Sequence, residues 1–333
     1  MNYKTILLSV SMAAFTFLGG VAHATSGGEP AGPIGGSDVG AAYLPPSGLY
    51  GAVIGMNLSG NEYKGDNQEK SPVNPNSMFR IFEGGVALLY VYPVHFAGGS
   101  LASSFVYGVQ HQHIRLGLPG GNVIFDSNTN GGADIYSDLL IWSRYVGHLG
   151  SYAPSNFHSA YPYPLPYGLT VAPALSMQFP TGSYHNNDEP SIGHNYYVFV
   201  PNIALTYLTP PVTKWDEGVE ISTRFYYDIS TQNHSDGYRS GDVFALDWAL
   251  TDRVKLWKIG VAGSYGQQVT DDIQHKEPAY GTGNWFRMMA IGPVIYRDLP
   301  AINGFAKFKL TFEPICRNGY PVTAAVFVIG KKF

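Results

Sequence analysis

Three stretches of the chain alternate between apolar and polar positions. In 219–230, Val219, Ile221, Thr223, Phe225, Tyr227 and Ile229 fall on one face, and Glu220, Ser222, Arg224, Tyr226, Asp228 and Ser230 on the other. In 243–251, Phe244, Leu246, Trp248 and Leu250 oppose Val243, Ala245, Asp247 and Ala249. In 305–313, Ala306, Phe308, Leu310 and Phe312 oppose Lys307, Lys309, Thr311 and Glu313. Successive side chains of a strand point to opposite sides, so a period of two with one greasy face predicts β-strands. Strand-like runs follow one another at 48–58, 79–95, 101–116, 134–147, 166–180, 195–209, 218–230, 241–252, 254–268, 285–297, 304–315 and 321–333.

A soluble sandwich alternates in the same way, so the connections have to decide. Those after the first, third, fifth, seventh and ninth runs are long and polar, and those after the second, sixth, eighth and tenth are short. Transmembrane barrels combine short periplasmic turns with longer extracellular loops. The expectation is therefore an all-β chain: an antiparallel transmembrane β-barrel of the outer-membrane type, with about twelve strands (ten to fourteen) and both ends on the periplasmic side. One connection breaks the pattern. Segment 148–165, HLGSYAPSNFHSAYPYPL, is long although nominally periplasmic, and reads either as a missed strand pair or as a Pro-rich segment at the rim.

Composition supports an apolar exterior. Charged residues make up 13% of the 333 residues, against about 25% in a typical soluble domain. Aromatics reach 14%, with 24 Tyr and 18 Phe beside 40 Gly and 23 Pro. A net charge of −4 argues against nucleic acid as a partner, because phosphate binding needs a basic surface. The single Cys316 excludes an intramolecular disulfide and a cysteine zinc site. At the N-terminus, Lys4, an apolar stretch over 6–18 and Ala22-His23-Ala24 form a secretory signal, so 1–24 is expected to be removed. Residues 25–47, rich in Gly, Pro and Ser, read as a flexible segment that can serve as a plug, and 48–333 as the barrel. The last run, TAAVFVIGKKF, places Phe327, Ile329 and Phe333 on one face with Lys331 among them. A terminal aromatic on an amphipathic last strand resembles the signal read by the barrel-assembly machinery. Lys331 there is expected to snorkel at the interface.

Several segments together resemble a family of outer-membrane barrels described as proteins of the meta-pathway of phenol degradation, loosely akin to fatty-acid and toluene channels. They are AAYLPPSGLY at 41–50, FPTGSY at 179–184, FVPNIALTYLTP at 199–210, STRFYYDISTQN at 222–233, YRSGDVFALDWALTDRVKLWKIGVAGSYGQQVTDD at 238–272 and GNWFRMMAIGPVIY at 283–296. The resemblance implies passage of hydrophobic or aromatic molecules across the outer membrane, with outer-membrane lipid as the surrounding partner. It implies no catalytic residue and no cofactor.

The candidate chemistry is sparse. No G-x-S-x-G, H-E-x-x-H or phosphate loop is present. His111 and His113 share a strand face and could grip a metal, though no third ligand is near in sequence. Asp126, Asn128, Asn130 and Gly131 match the start of a calcium loop, but Ser137 stands where the bidentate acid belongs. Asp271-Asp272 reads as a polar cluster at a strand end rather than an acid–base pair. TyrProTyrPro at 161–164 reads as an interface girdle or a platform for rings. Glu220, Arg224, Asp228, Asp247, Lys307 and Lys309 are expected to face the lumen, as mutually neutralising charges or as a constriction along the substrate path. The reading is a passive channel for small hydrophobic, chiefly aromatic, compounds and not an enzyme. Its rivals are a lipid hydrolase built on a barrel and a surface-contact barrel without transport.

Overall fold

A computed structural model describes residues 35–70, 76–117, 123–148, 167–185, 191–211, 213, 215–279 and 285–333. Sixteen strands run in order: β1 Gly48–Gly60, β2 Met78–Phe96, β3 Gly99–Gly117, β4 Val123–Gly132, β5 Ile135–Gly147, β6 Gly168–Phe179, β7 Val198–Leu208, β8 Val219–Ser230, β9 Tyr238–Arg239, β10 Val243–Val254, β11 Trp257–Gln268, β12 Ile273–Gln274, β13 Glu277–Pro278, β14 Arg287–Leu299, β15 Gly304–Arg317 and β16 Thr323–Lys332. Neighbours pair antiparallel around a closed ring of twelve strand positions. The ring closes where β1 pairs with β16, from Tyr50↔Lys332 to Ser59↔Thr323. The strands β9, β12 and β13 stand apart as a small sheet in the loops.

β4 and β5 share one position. β4 pairs with the upper part of β3 (Val109↔Gly132 to Gly117↔Val123), and β5 with the lower part (Ser100↔Ser143 to Val106↔Tyr136). Between them the chain breaks strand geometry at Ala133 and Asp134. By sequence, 117–133 is the long polar connection between the third and fourth runs. Its polar alternation, Asp126, Asn128 and Asn130 against Ser127 and Thr129, is instead a strand rising beside β3.

Alternation sorts the faces as expected. On β8, β10 and β15 the charged and small residues are buried inward. Val53, Phe82, Val86, Leu250, Val261, Phe308, Phe312 and Phe327 form part of a continuous exposed belt outside. A belt of that kind is what hydrocarbon requires, and the β1–β16 pairing closes the ring. At the end that carries the C-terminus, two-residue turns join β2 to β3 and β10 to β11. In the first, Ala97 and Gly98 both have positive φ (47° and 75°), the backbone of a type I′ hairpin whose twist matches the strands. Segment 148–165 falls almost wholly outside the described residues, as does TyrProTyrPro at 161–164.

Candidate functional site

The lumen has two unlike sides. One side is charged. Arg224 donates through Nε to Asn202 Oδ1 at 2.8 Å and forms a buried ion pair with Asp138. Its guanidinium carbon lies 5.1 Å from the ring centre of Tyr226. Lower on the same strand, Glu220 accepts from Lys258 Nζ at 2.9 Å, with Arg253 3.6 Å away. Asp228 is buried and faces inward, opposite Val243. Thus all six candidate residues face inward, but they do not form one cluster. Glu220 belongs to the end near the C-terminus, Arg224 and Asp247 to the middle, and Lys307 and Lys309 to the wall formed by β15.

Residues 35–47 cross this space. Asp247 accepts from the backbone N–H of Gly35 (2.7 Å) and of Ser37 (3.2 Å). Asp38, fully buried, receives Lys307 Nζ at 2.8 Å and Lys309 Nζ on its other oxygen. Burial opposes the charge on Asp38, but the two ammonium groups outweigh it and hold the carboxyl well below the usual carboxylate range. Further along, the N–H of Ala41 donates to Ser222 Oγ (2.9 Å) and that of Ala42 to Thr206 Oγ1 (3.1 Å). Ala42 packs with Val91, Ala102, Ile141, Ala172 and Ala204, and Val39 with Ala249, Ala262 and Val294.

The other side is apolar. Directly opposed residues of adjacent strands share a face. Lys309 opposes Val326, Val326 opposes Met56, and Met56 opposes Glu83. Lys309 and Val326 are buried inward, so Met56 and Glu83 also line the lumen. By the same register Ile54, Leu58, Ile81, Ala87, Leu89 and Val328 line it too. Their chain neighbours Val53 and Phe82, at 58% and 59% exposure, point to lipid. Most of these inward residues are only half buried. At the loop end of this stripe Phe79 stacks on Tyr320 (5.4 Å between ring centres), and Tyr63 meets Tyr320 edge-on at 5.3 Å. An aromatic cluster therefore stands at the mouth, directly above the apolar wall.

The metal candidates resolve differently. His111 Nδ1 lies 2.8 Å from Asn130 Oδ1, and His113 Nε2 lies 2.7 Å from Asp126 Oδ1. Arg115 Nε donates to the second oxygen of Asp126 at 3.0 Å. These are cross-strand pairs on the outer face of β3 and β4, and a strand cannot wrap its side chains around calcium as a twelve-residue loop does. Among the described residues no group of three or more His, Cys, Asp or Glu could hold a metal.

The loops over the charged side are tied together. Asp134, at the break between β4 and β5, accepts from the N–H of Gly182 (2.7 Å) and of His194 (2.8 Å) and pairs with the His194 ring. β12 pairs with β9 and β13, joining the loop after β8 to the loop after β11. Asp272 accepts from Gly241 N (2.7 Å) and Gln268 Nε2 (3.0 Å), and Asp271 from Trp285 Nε1 (2.8 Å). The paired aspartates are thus a structural clasp at a strand end.

Several partners of these residues are not among the sequence candidates. Arg253 shares the period-two face of Asp247, and Asp138 shares that of buried Tyr136, so both are within reach of the pattern. Asp38 gave no local signal, since its partners lie 269 and 271 residues away. The apolar stripe gave none of the expected alternation, because β1 and β2 are apolar on both faces.

Residues 63–314 match the sequence profile of the family described as "Putative MetA-pathway of phenol degradation". The chain belongs to this family. Among curated proteins none matches it. In three dimensions this phenol-degradation-family barrel is similar to the COG4313 outer membrane channel from Pseudomonas putida F1. The TM-score is 0.66 at 11% identity, over 89% of this chain and 99% of that one. At that identity the likeness carries the fold alone, a closed twelve-strand antiparallel barrel of the outer-membrane type. The transport unit of the autotransporter AIDA-I from Escherichia coli aligns more loosely, at TM-score 0.45 and 10% identity over 86% of this chain and 90% of that one.

Proposed function

We propose that this family member is a passive channel for small hydrophobic, chiefly aromatic, compounds, without enzymatic activity. The observation that carries the reading is the division of the lumen. A charged interior alone would favour ions and polar solutes. Here the aromatic cluster of Phe79, Tyr63 and Tyr320 leads onto Leu58, Ile81, Met56 and Ile54. An apolar solute gains about 25 cal/mol for each Å² it buries, so weak, repeated contacts along such a wall favour its passage over polar solutes. On β2 the stripe ends at Leu89, which packs against the cluster around Ala42. Segment 35–47 therefore acts as a plug at the lower end of the path, and passage requires it to shift. The charged residues Glu220, Arg224, Asp228, Asp247, Lys307 and Lys309 hold the plug and the opposite wall rather than meeting the solute.

The test is entry of a labelled toluene-like solute into cells with and without the protein, at solute levels where the outer membrane limits the rate. Faster entry with the protein, reduced by Ile81→Asp on the stripe, is the expected result. Equal entry with and without the protein refutes the channel and favours a surface-contact barrel.

A further inference from the structure

Among the described residues the apolar wall carries one carboxylate. Glu83 lies on β2 between Ile81 and Gly85, opposite Met56 on one side and Gln110 on the other. Three other acids of this interior have cations beside them: Asp138 has Arg224, Glu220 has Lys258, and Asp38 has Lys307 and Lys309; Asp247 accepts instead from the backbone N–H of Gly35 and of Ser37. Among the described residues no ion pair or hydrogen bond engages Glu83. The site makes room for it. Gly108 sits across from Gly85 on β3, and a Cβ there would collide with the Glu83 carboxyl. Glu83 is half buried, so the carboxylate meets the open lumen. It stands six residues above Leu89, or roughly 20 Å along the strand from the plug cluster.

A carboxylate on a greasy wall is costly to desolvate unless a donor meets it. Water serves when the channel is empty. A solute sliding along the wall displaces that water, and its own polar group then has to do the same work. A hydroxyl or ammonium group donates to the carboxylate. A bare ring leaves it unpaired, and a second carboxylate is repelled. The ring of such a solute rests on Met56, Ile54 and Ile81, and thioether sulfur makes favourable contacts with aromatic edges.

We propose that Glu83 is a specificity-determining residue of the channel, selecting small aromatic solutes that carry a hydrogen-bond donor or a cationic head and rejecting aromatic carboxylates. This rests on the channel reading above and names its solute class.

Three labelled probes of matched size separate the cases: benzylamine, benzyl alcohol and benzoate. Their entry is measured in cells that lack the protein, produce it, or produce Glu83→Gln. The expected order through the native barrel is benzylamine, then benzyl alcohol, then benzoate. Glu83→Gln should lower the benzylamine-to-benzoate ratio by about tenfold, the scale of a hydrogen bond to a charged group. Met56→Lys places an ammonium group opposite an intact Glu83 and should produce the same loss, which covers the case in which the first variant assembles poorly. If the protein speeds entry of the probes but both variants leave the ratio unchanged, Glu83 does not select and the channel reading survives. If no probe enters faster with the protein, the channel reading and this one fall together.

Discussion

Asp38 draws together two lysines from one strand and fixes a segment that precedes the barrel. Replacing it with Asn removes the charge but leaves Lys307 and Lys309 buried. Breaking a buried pair in this way costs about 3–5 kcal/mol, here lost from the seated state of segment 35–47. Asp38→Asn is therefore expected to expose 35–47 to added protease while the barrel itself stays resistant, which digestion of outer-membrane fractions will show. The depressed Asp38 pKa sets the pH behaviour of this ion pair. Its stabilising contribution is complete above the ordinary carboxylate range near pH ~4 and is lost only as pH falls through the lower, folded value. The contribution of Asp38 should hold constant between pH 8 and pH 5, read as an unchanged difference in protease protection between the native protein and Asp38→Asn. A loss of that difference near pH 6 would assign the latch to another group. Facing matters equally at this scale. Leu250→Arg, on the outer face near mid-strand, should cost about 2–4 kcal/mol, whereas Met56→Gln in the open lumen should cost far less, by denaturant titration in detergent. The alternation also marks Ala245 as an inward position that would tolerate a charge. It does not offer that room: Ala245 packs among Tyr136, Val198, Val200 and Tyr226, and the interior there is filled rather than hydrated. Sequence periodicity finds a face, but it carries no information on whether the space beyond is solid or open.

The elements explain which parts of the site were legible. β8, β10 and β15 separate lipid from charge, so their period of two is plain. β1 and β2 separate lipid from an apolar path, so both faces are greasy and the period vanishes. An absent alternation inside a barrel is thus informative, because a wall that is apolar on both sides marks where the lumen is apolar. β4 was hidden for the opposite reason. DSNTNGG is polar on both faces and rich in turn-forming residues, yet cross-strand pairs with His111, His113 and Arg115 hold it extended. The segment 35–47 has no periodicity at all, and its conformation comes from the strands around it. Removing residues 35–47 while keeping the signal region should leave insertion intact and raise leak of small polar solutes. Faster swelling of liposomes carrying the shortened barrel is the measurement, and equal swelling would show that the segment does not seal the lumen.

For the whole molecule, closure into a ring accounts for both stability and location. A closed barrel in detergent should migrate differently before and after boiling, and a soluble periplasmic fraction without that shift would contradict the fold. Phe333 adds little to the finished ring. Its N–H donates to Leu49 O at 2.9 Å, but its side chain is 68% exposed. Lys331 lies beside it, 5.1 Å from its ring centre. Deleting Phe333 should therefore lower the yield of inserted barrel much more than it lowers the unfolding midpoint of what is inserted. Equal loss of both would make the residue structural rather than a recognition signal.

The path of segment 35–47 also constrains the order in which the molecule is made. Its hydrogen bonds reach Thr206, Ser222, Asp247, Lys307 and Lys309, at separations of 164 to 274 residues. The lysines reside on β15, which is synthesised nearly last, and the cavity that surrounds the segment exists only once β1 has met β16. Contacts of such range form late, because loop closure has to precede them. On the proposed plug role of this segment, each new barrel begins life unsealed and becomes tight in a separate, later event. A cell that makes this protein rapidly should pass through a short interval of raised permeability with every burst of synthesis, in proportion to the number of rings closed but not yet filled.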